Sequence, residues 1–300
     1  MKNIMKSYQI ILIIIFSIVI ASCEDVIKVD LKTGQQQLCV DAFLTSDPGP
    51  KTIKLRLTDN YFNNQHLPPA LGADVVITDL IGREFKFTDE NKDGDYVWMP
   101  NPAIDLIPFA FRLFGNPNLY TLKIKYSGQE YSAVSYLDTV PQIDSLGYEF
   151  VEQSIQGPDT IPPGYRLTMF AKDPIGEGNC YWFKTYRNGL MYRKPSQINI
   201  AYDAAFGPGS DGINFIPPIV FSLAPERLAL NDTLTVECLS VGQPTFFYLF
   251  RAQTEMNNFG IFATPPANVP TNIINNNEKG PKATGWFWVA NLSRKGVRVK

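Results

Sequence analysis

The sequence predicts a mainly β fold: an immunoglobulin-like or transthyretin-like β-sandwich over residues 36–139, then a second β-rich domain over 140–300 with one or two short helices. Three observations predict it. Apolar and polar residues alternate with period two, as in Ile53, Leu55 and Leu57 against Lys54 and Arg56, which marks a sheet with one wet face. Short apolar runs recur at regular spacing between turn residues. The 23 prolines and 21 glycines are spread along the body, as many turns between short strands require.

Ahead of the body, residues 1–22 read as a signal peptide. Lys2 and Lys6 give a positive start, and the apolar run from Ile10 to Ile20 is too short to span a membrane comfortably. It ends in Ile20-Ala21-Ser22-Cys23. An aliphatic residue, two small residues and a cysteine form the pattern read by the bacterial lipoprotein pathway: the small residues fit the peptidase and the thiol accepts a diacylglyceryl group. Cys23 is therefore the expected lipidation site, carrying acyl chains such as palmitate. Glu24 and Asp25 resemble the surface-export signal of Bacteroidetes lipoproteins. Residues 23–35 form the tether. More than one acyl chain gives stable anchoring, so the expected location is the outer membrane, lipid-anchored and facing the cell surface.

In the first domain the strand candidates are 38–45, 52–58, 73–78, 83–88, 96–99, 120–126 and 131–137. Ile81-Gly82 and Ser127-Gly128 supply turns. In the second domain they are 146–152, 166–172, 180–187, 219–223 and 233–241, with Asn188-Gly189 as a hairpin turn. A helix is expected over 245–257 behind a first-turn proline, Pro244, with Phe246, Leu249, Phe250 and Gln253 at helical spacing and the aromatics facing the core. Residues 202–218 read as a long exposed loop, 265–281 as a Pro- and Asn-rich tail, and 285–289 as the closing strand.

With 27 basic and 29 acidic residues the formal charge is −2, and no basic stripe is present, so nucleic acid is not an expected partner. Beyond Cys23 the cysteines are Cys39, Cys180 and Cys238. Either Cys180 pairs with Cys238 in an oxidising compartment, or all three are small core residues; free cysteine is commonly buried.

Few residues suggest chemistry, and no catalytic residue is expected. The one histidine, His66, sits in a loop, and no serine lies in a nucleophile elbow. Asp89, Asn91, Asp93 and Asp95, with Gly94 among them, resemble the start of a calcium loop. The position that needs a bidentate Glu is Pro100, so a polar hairpin turn competes with calcium as the reading. Glu149, Glu152, Asp173 and Glu177 are acids of the second domain with no pattern that pairs them. Asp followed by Ser or Thr and an aliphatic residue resembles the O-glycosylation sequon of Bacteroidetes envelope proteins. It occurs at Thr139, Ser145, Thr160 and Thr233. Phe206 and Phe215, flanked by prolines and glycines in the 202–218 loop, are expected partner contacts.

Taken in order, several short segments resemble a family of Bacteroidetes outer-membrane lipoproteins, domain of unknown function 4249. They are Cys23-Glu24-Asp25-Val26, Leu38-Cys39-Val40-Asp41-Ala42, Asp47-Pro48-Gly49-Pro50, Gly72-Ala73-Asp74-Val75, Pro141-Gln142-Ile143-Asp144-Ser145-Leu146, Pro265-Pro266-Ala267-Asn268-Val269, Asn272-Ile273 and Gly285-Trp286-Phe287. The resemblance covers nearly the whole chain. It implies a lipoprotein working beside an outer-membrane β-barrel, in particular a TonB-dependent transporter, and it implies no catalytic residues. Cys39 and Cys180 depart from its ordinary apolar or aromatic residues. The competing expectation is a surface lipoprotein that binds a glycan or other nutrient, which needs an aromatic-lined groove.

Overall fold

The computed structural model describes residues 35–59, 66–101, 118–156, 159–203, 209, 211–215, 223–259, 263–265 and 267–300. Eighteen strands and one α-helix lie among these residues, so the fold is mainly β as the alternation requires.

The first half folds as two facing sheets. Strands β1 (Leu38–Thr45), β2 (Lys51–Leu57), β3 (Asp74–Asp79), β4 (Glu84–Phe87), β5 (Asp95–Trp98), β6 (Asn118–Tyr126) and β7 (Gln129–Leu137) come from the seven segments that the alternation marks. In β1, Leu38, Val40, Ala42 and Leu44 turn inward. In β2, Ile53 and Leu55 do the same, and in β4, Phe85 and Phe87. These side chains share one core with Val75, Ile77, Leu122 and Ile124. Full burial of a Leu, Ile or Phe side chain contributes about 1.5–3 kcal/mol.

The second half contains β8 (Ile143–Val151), β9 (Ser154–Gln156), β10 (Asp159–Ile161), β11 (Gly164–Ala171), β12 (Cys180–Arg187), β13 (Leu190–Met191), β14 (Asn199–Tyr202) and β15 (Thr233–Val241). They are followed by helix α1 (Gln243–Met256), β16 (Ile274–Asn275), β17 (Ala283–Ala290) and β18 (Leu292–Arg298). A sheet ordered β13-β12-β15-β18, with β14 also paired to β12, buries both faces. Tyr181, Phe183, Val236 and Cys238 meet the β8–β11 pair through Ile143, Leu167 and Met169. Cys180, Leu239 and Val241 meet Leu249 of α1 and Trp286 and Trp288 of β17.

The domain boundary expected at 139/140 is crossed twice. The strand expected to close the second domain, β17, runs parallel to β1 and completes the first sheet, ordered β17-β1-β2-β5. β16 joins the other sheet, ordered β16-β7-β6-β3-β4. Residues Gln36–Lys300 accordingly form one compact unit. The cause lies in β17 itself: Phe287 and Val289 enter the sandwich core while Trp286 and Trp288 enter the layer beneath α1. A strand buried on both faces needs partners on both sides, and a parallel strand commonly has them.

Helix α1 begins two residues before the expected start, with Gly242 as N-cap and Pro244 in its first turn. Its aromatics do not all face the core. Leu249 is buried, whereas Phe247 and Phe250 are more than half exposed. The 202–218 loop is also not wholly exposed: Phe215 N–H donates to the Ala171 carbonyl at 3.0 Å and Asp173 N–H to the Ile213 carbonyl at 2.9 Å. These bonds lay that stretch along β11. Residues 219–222 of the expected 219–223 strand fall outside the described residues.

Candidate functional site

The expected calcium ligands are turn-forming groups. The Asp89 carboxylate accepts from the backbone N–H of Asp93 at 3.2 Å and of Gly94 at 3.0 Å, and Asp93 accepts from Asp95 N–H at 2.9 Å. Asp95 is ion-paired with Arg56. These bonds are those of a polar turn, and Asp89, Asp93 and Asp95 do not form a converging metal-compatible group among the described residues.

A different acidic group converges. Asp173, Asp203 and Asp211 each place a carboxylate oxygen within 4.8 Å of the others, and they are the only such metal-compatible group among the described residues. Buried Asp173 accepts from Tyr181 O–H and from Gly212 N–H. Asp203 accepts from Gly178 N–H at 3.1 Å, and Asp211 from Gly176 N–H at 2.8 Å. Burial, then the bond to Asp173, raises the Tyr181 phenol above its ordinary value. Each acid thus ties down a backbone amide of the 176–178 or 211–212 turns. Sequence reasoning noted Asp173 only as an unpaired acid, because its partners lie 30 and 38 residues further on.

A cleft of about 630 Å³ opens beside these turns, within the size range of ligand pockets. It lies along β7 and β17, where the edges of the two sheets of the sandwich come together. β17 is an edge strand, and side chains answer its backbone: Asn272 bonds Phe287 N–H at 2.9 Å and Phe287 C=O at 2.8 Å, and Ser135 Oγ accepts from Val289 N–H at 3.0 Å. The opposite wall is β7, with Val134 and Tyr136 53% and 52% exposed. The first turn of α1 and residues 177–180, which lie side by side where Cys180 pairs with Val241, also line it. Trp286 and Thr245 lie at the floor, joined by an indole N–H bond of 3.0 Å. Asp138 and Glu177 are among the lining residues, and no Lys or Arg is among the described ones.

Residues 24–296 match the family model of domain of unknown function 4249. The chain belongs to this family. No curated protein matches it. The 4249 match begins one residue after Cys23.

The remaining predicted residues of this 4249-family chain scatter. Cys23, Glu24, Asp25 and Phe206 lie outside the described residues. His66 is exposed in its loop. Phe215, expected to face a partner, instead packs edge-on against Tyr181 and Phe183, with ring centroids 5.3 and 5.6 Å away. Its backbone bond to β11 holds the ring inward. Among the sequon residues, Ser145 is exposed on β8, Thr139 lines the cleft, and the Thr160 side chain is outside the described set. Thr233 is exposed, with its hydroxyl 3.3 Å from Asn188 Oδ1. Glu149, one of the unpaired acids, is ion-paired with Arg166 at 2.5 Å.

All three body cysteines are free. In the β12–β15 ladder Cys180 stands opposite Val241 and Cys238 opposite Phe183. Their offset of three residues sends the two thiols to opposite faces, because side chains alternate along a strand. Burial, reinforced by Asp203 and Asp138, pushes the Cys180 thiol up to about 12. Burial pushes Cys238 well above its ordinary value too.

Proposed function

We propose that this chain is a lipid-anchored outer-membrane accessory protein that docks on an outer-membrane β-barrel, in particular a TonB-dependent transporter. The observation that carries the reading is the Ile20-Ala21-Ser22-Cys23 leader directly ahead of the residues matched by the family. A thioether-linked lipid at Cys23 would hold the folded body at a bilayer surface. Among the described residues no helix is long and apolar enough to cross a membrane, so the anchor would carry the attachment.

An accessory role suits the groups on display. Val134, Tyr136, Phe247, Phe250 and Phe259 present apolar surface, and exposed aromatics of this kind form contact hot spots. A glycan-binding role has weaker support. Trp286 at the cleft floor is 6% exposed and stacks on Tyr248 at 4.6 Å, which leaves it little open face for a sugar ring.

The test is co-purification from detergent-solubilised outer membranes of the native host. The chain should carry a β-barrel with it, and a Cys23→Ala form should leave the membrane fraction. Recovery of the wild-type chain alone at native abundance would overturn the docking reading.

A further inference from the structure

We propose that the outward face of α1 lies on an anionic lipid surface and inserts its phenylalanines among the head groups, a second membrane contact that orients the anchored body. The inference rests on the lipid anchor of the docking reading. It gives the helix aromatics to lipid and leaves other surface to the barrel.

The first observation is the composition of the helix face. Thr245 and Leu249 are buried, with Thr245 bonded to the Trp286 indole. On the opposite side Phe247, Phe250, Arg251 and Thr254 follow at i, i+3, i+4 and i+7, which places them on one stripe, and all four are exposed. A stripe turned to water ordinarily carries polar and charged residues. Here two phenylalanines stand in it. Half-buried Phe246 touches both, with ring centroids 5.5 Å from Phe247 and 6.5 Å from Phe250, so the rings form one supported cluster. Five phenylalanines are exposed among the described residues, and Phe247, Phe250 and Phe259 are three of them. Apolar surface gathered in this way marks a contact site, whereas scattered single residues do not.

The second observation is where the chain to the lipid begins. α1 packs over β1, the first strand of the body: Tyr248 lies edge-on to Phe43 at 6.3 Å. Burial, then Asp41 and Cys39 of the same strand, raises the Tyr248 phenol. Only residues 24–35 separate Cys23 from the unit Gln36–Lys300, a reach of about 40 Å at most. A lipid at Cys23 therefore keeps β1, and the helix packed on it, close to the bilayer.

The third observation is charge. Gln253 of α1 donates to the carbonyls of Pro195 and Ile198 at 3.3 and 3.0 Å, which brings Arg193 and Lys194 beside the helix. Both are exposed. Arg251 adds a third cation within the stripe, where Glu255 pairs with it at 2.9 Å. Aromatic rings bordered by basic side chains suit the boundary of an anionic bilayer, with rings at head-group level and cations on phosphates. Two inserted rings bind weakly alone. The tethered lipid makes the contact effective by confining the face near the surface, so a Cys23→Ala form still leaves the membrane.

The test uses the chain from residue 23 onward, lipidated and as Cys23→Ala. The unlipidated form is titrated with vesicles of phosphatidylethanolamine and phosphatidylglycerol and should bind at millimolar lipid. Phe247→Ser with Phe250→Ser should weaken binding at least about tenfold. Arg193→Gln with Lys194→Gln should weaken it at least about threefold, and should leave binding to phosphatidylcholine vesicles unchanged. In the lipidated form, a nitroxide on Thr254→Cys in a Cys39→Ser background should become shielded from a water-soluble nickel chelate when vesicles are present. The same label on Lys86→Cys, exposed on β4 of the other sandwich sheet, should stay accessible.

Three results would overturn the proposal: no vesicle binding, binding that survives Phe247→Ser with Phe250→Ser, or a Thr254 label as open to nickel with vesicles as without. Loss of a co-purifying barrel from detergent through the same double variant would also overturn it, because the patch would then belong to a protein. Should the double variant misfold, the Thr254 label still decides. The two readings separate cleanly. A wild-type chain recovered without a barrel removes docking, and the vesicles still judge α1. A double variant that keeps the barrel and loses the vesicles leaves both standing.

Discussion

Gly285 of β17 faces Val40 of β1 directly in the parallel ladder, and its backbone holds φ at +97°. A Cβ at that position would collide with the Val40 carbonyl. Two penalties coincide there: a left-handed backbone region costs a non-glycine residue about 1–3 kcal/mol, and the clash involves main chain that cannot rotate away. Gly285→Ala should lower the unfolding free energy by about 3 kcal/mol or more, or prevent folding. Gly189→Ala is the control, with φ +80° and nothing within 4 Å; it should cost only about 1 kcal/mol. Urea titration of both variants measures the difference, and equal losses would show that the close approach of β1 and β17 is not what requires glycine.

Asp232 gathers four donors beside the β12–β13 turn. Its carboxylate accepts from Arg187 Nη2 at 2.6 Å, Arg187 Nε at 3.1 Å, Ala229 N–H at 2.8 Å and Asn188 Nδ2 at 2.8 Å. Burial opposes the charge, but the Ala229, Asn188 and Arg187 bonds prevail and hold the carboxyl below its ordinary value. A depressed carboxyl stabilises the fold above its unfolded pKa, about 3.9, and that stability disappears as pH falls through the lower folded value. Asp232→Asn should cost about 1–3 kcal/mol at pH 7. The gap from wild type should close as pH drops below about 4. Thermal melts of the pair from pH 7 to pH 3 test the sign; a gap that widens in acid would refute it.

The limits of sequence reading show in particular residues. β1 to β7 were legible because Leu38, Val40, Ala42, Leu44 and their counterparts alternate locally, and period two is a property of neighbours. The partner of β17 was not legible. Gly285-Trp286-Phe287-Trp288-Val289 is apolar on both faces, so it announces a strand but not which sheet it joins, and β1 lies more than 200 residues earlier. The cleft was hidden for the same reason. Val134, Asp138, Glu177, Gln243, Asn272 and Trp286 come from separate segments, and only the β7–β17 seam brings them together. Phe215 misled because its flanking prolines suggested exposure, while the bond from its N–H to Ala171 turned it inward.

The thiols offer a covalent check on strand register. With Cys180 and Cys238 on opposite faces of one sheet, a disulfide between them would require taking the β12–β15 ladder apart. Native protein treated with a thiol reagent at pH 8 should leave both unmodified, since each is at most 2% exposed and burial raises both thiols. In guanidinium without reductant, Cys39, Cys180 and Cys238 should all react. Reductant should leave the melting temperature unchanged. Two missing thiols in the denatured count would mean that the pairing alternative holds and the register does not.

The last prediction concerns where the chain can be cut. Phe43 of β1 packs edge-on against Trp288 at 5.6 Å, Trp182 at 6.0 Å and Tyr248 at 6.3 Å, so one ring touches β17, β12 and α1. The sandwich therefore shares its outer layer with the second sheet, and β17 belongs to both cores. A fragment of residues 36–139 would expose the β1 edge that β17 covers and would lose the burial of Phe287 and Val289, neither of which is accessible in the intact chain. Losing about 1.5–3 kcal/mol for each such side chain consumes much of a typical domain's 5–15 kcal/mol. The fragment should be unfolded by circular dichroism and sensitive to protease, and residues 36–300 should unfold in one transition by fluorescence and by far-UV dichroism. Phe43→Ala should shift both probes together, by about 3 kcal/mol. A folded 36–139 fragment, or two separated transitions, would establish instead that the first seven strands stand alone and that β17 is an accessory to them.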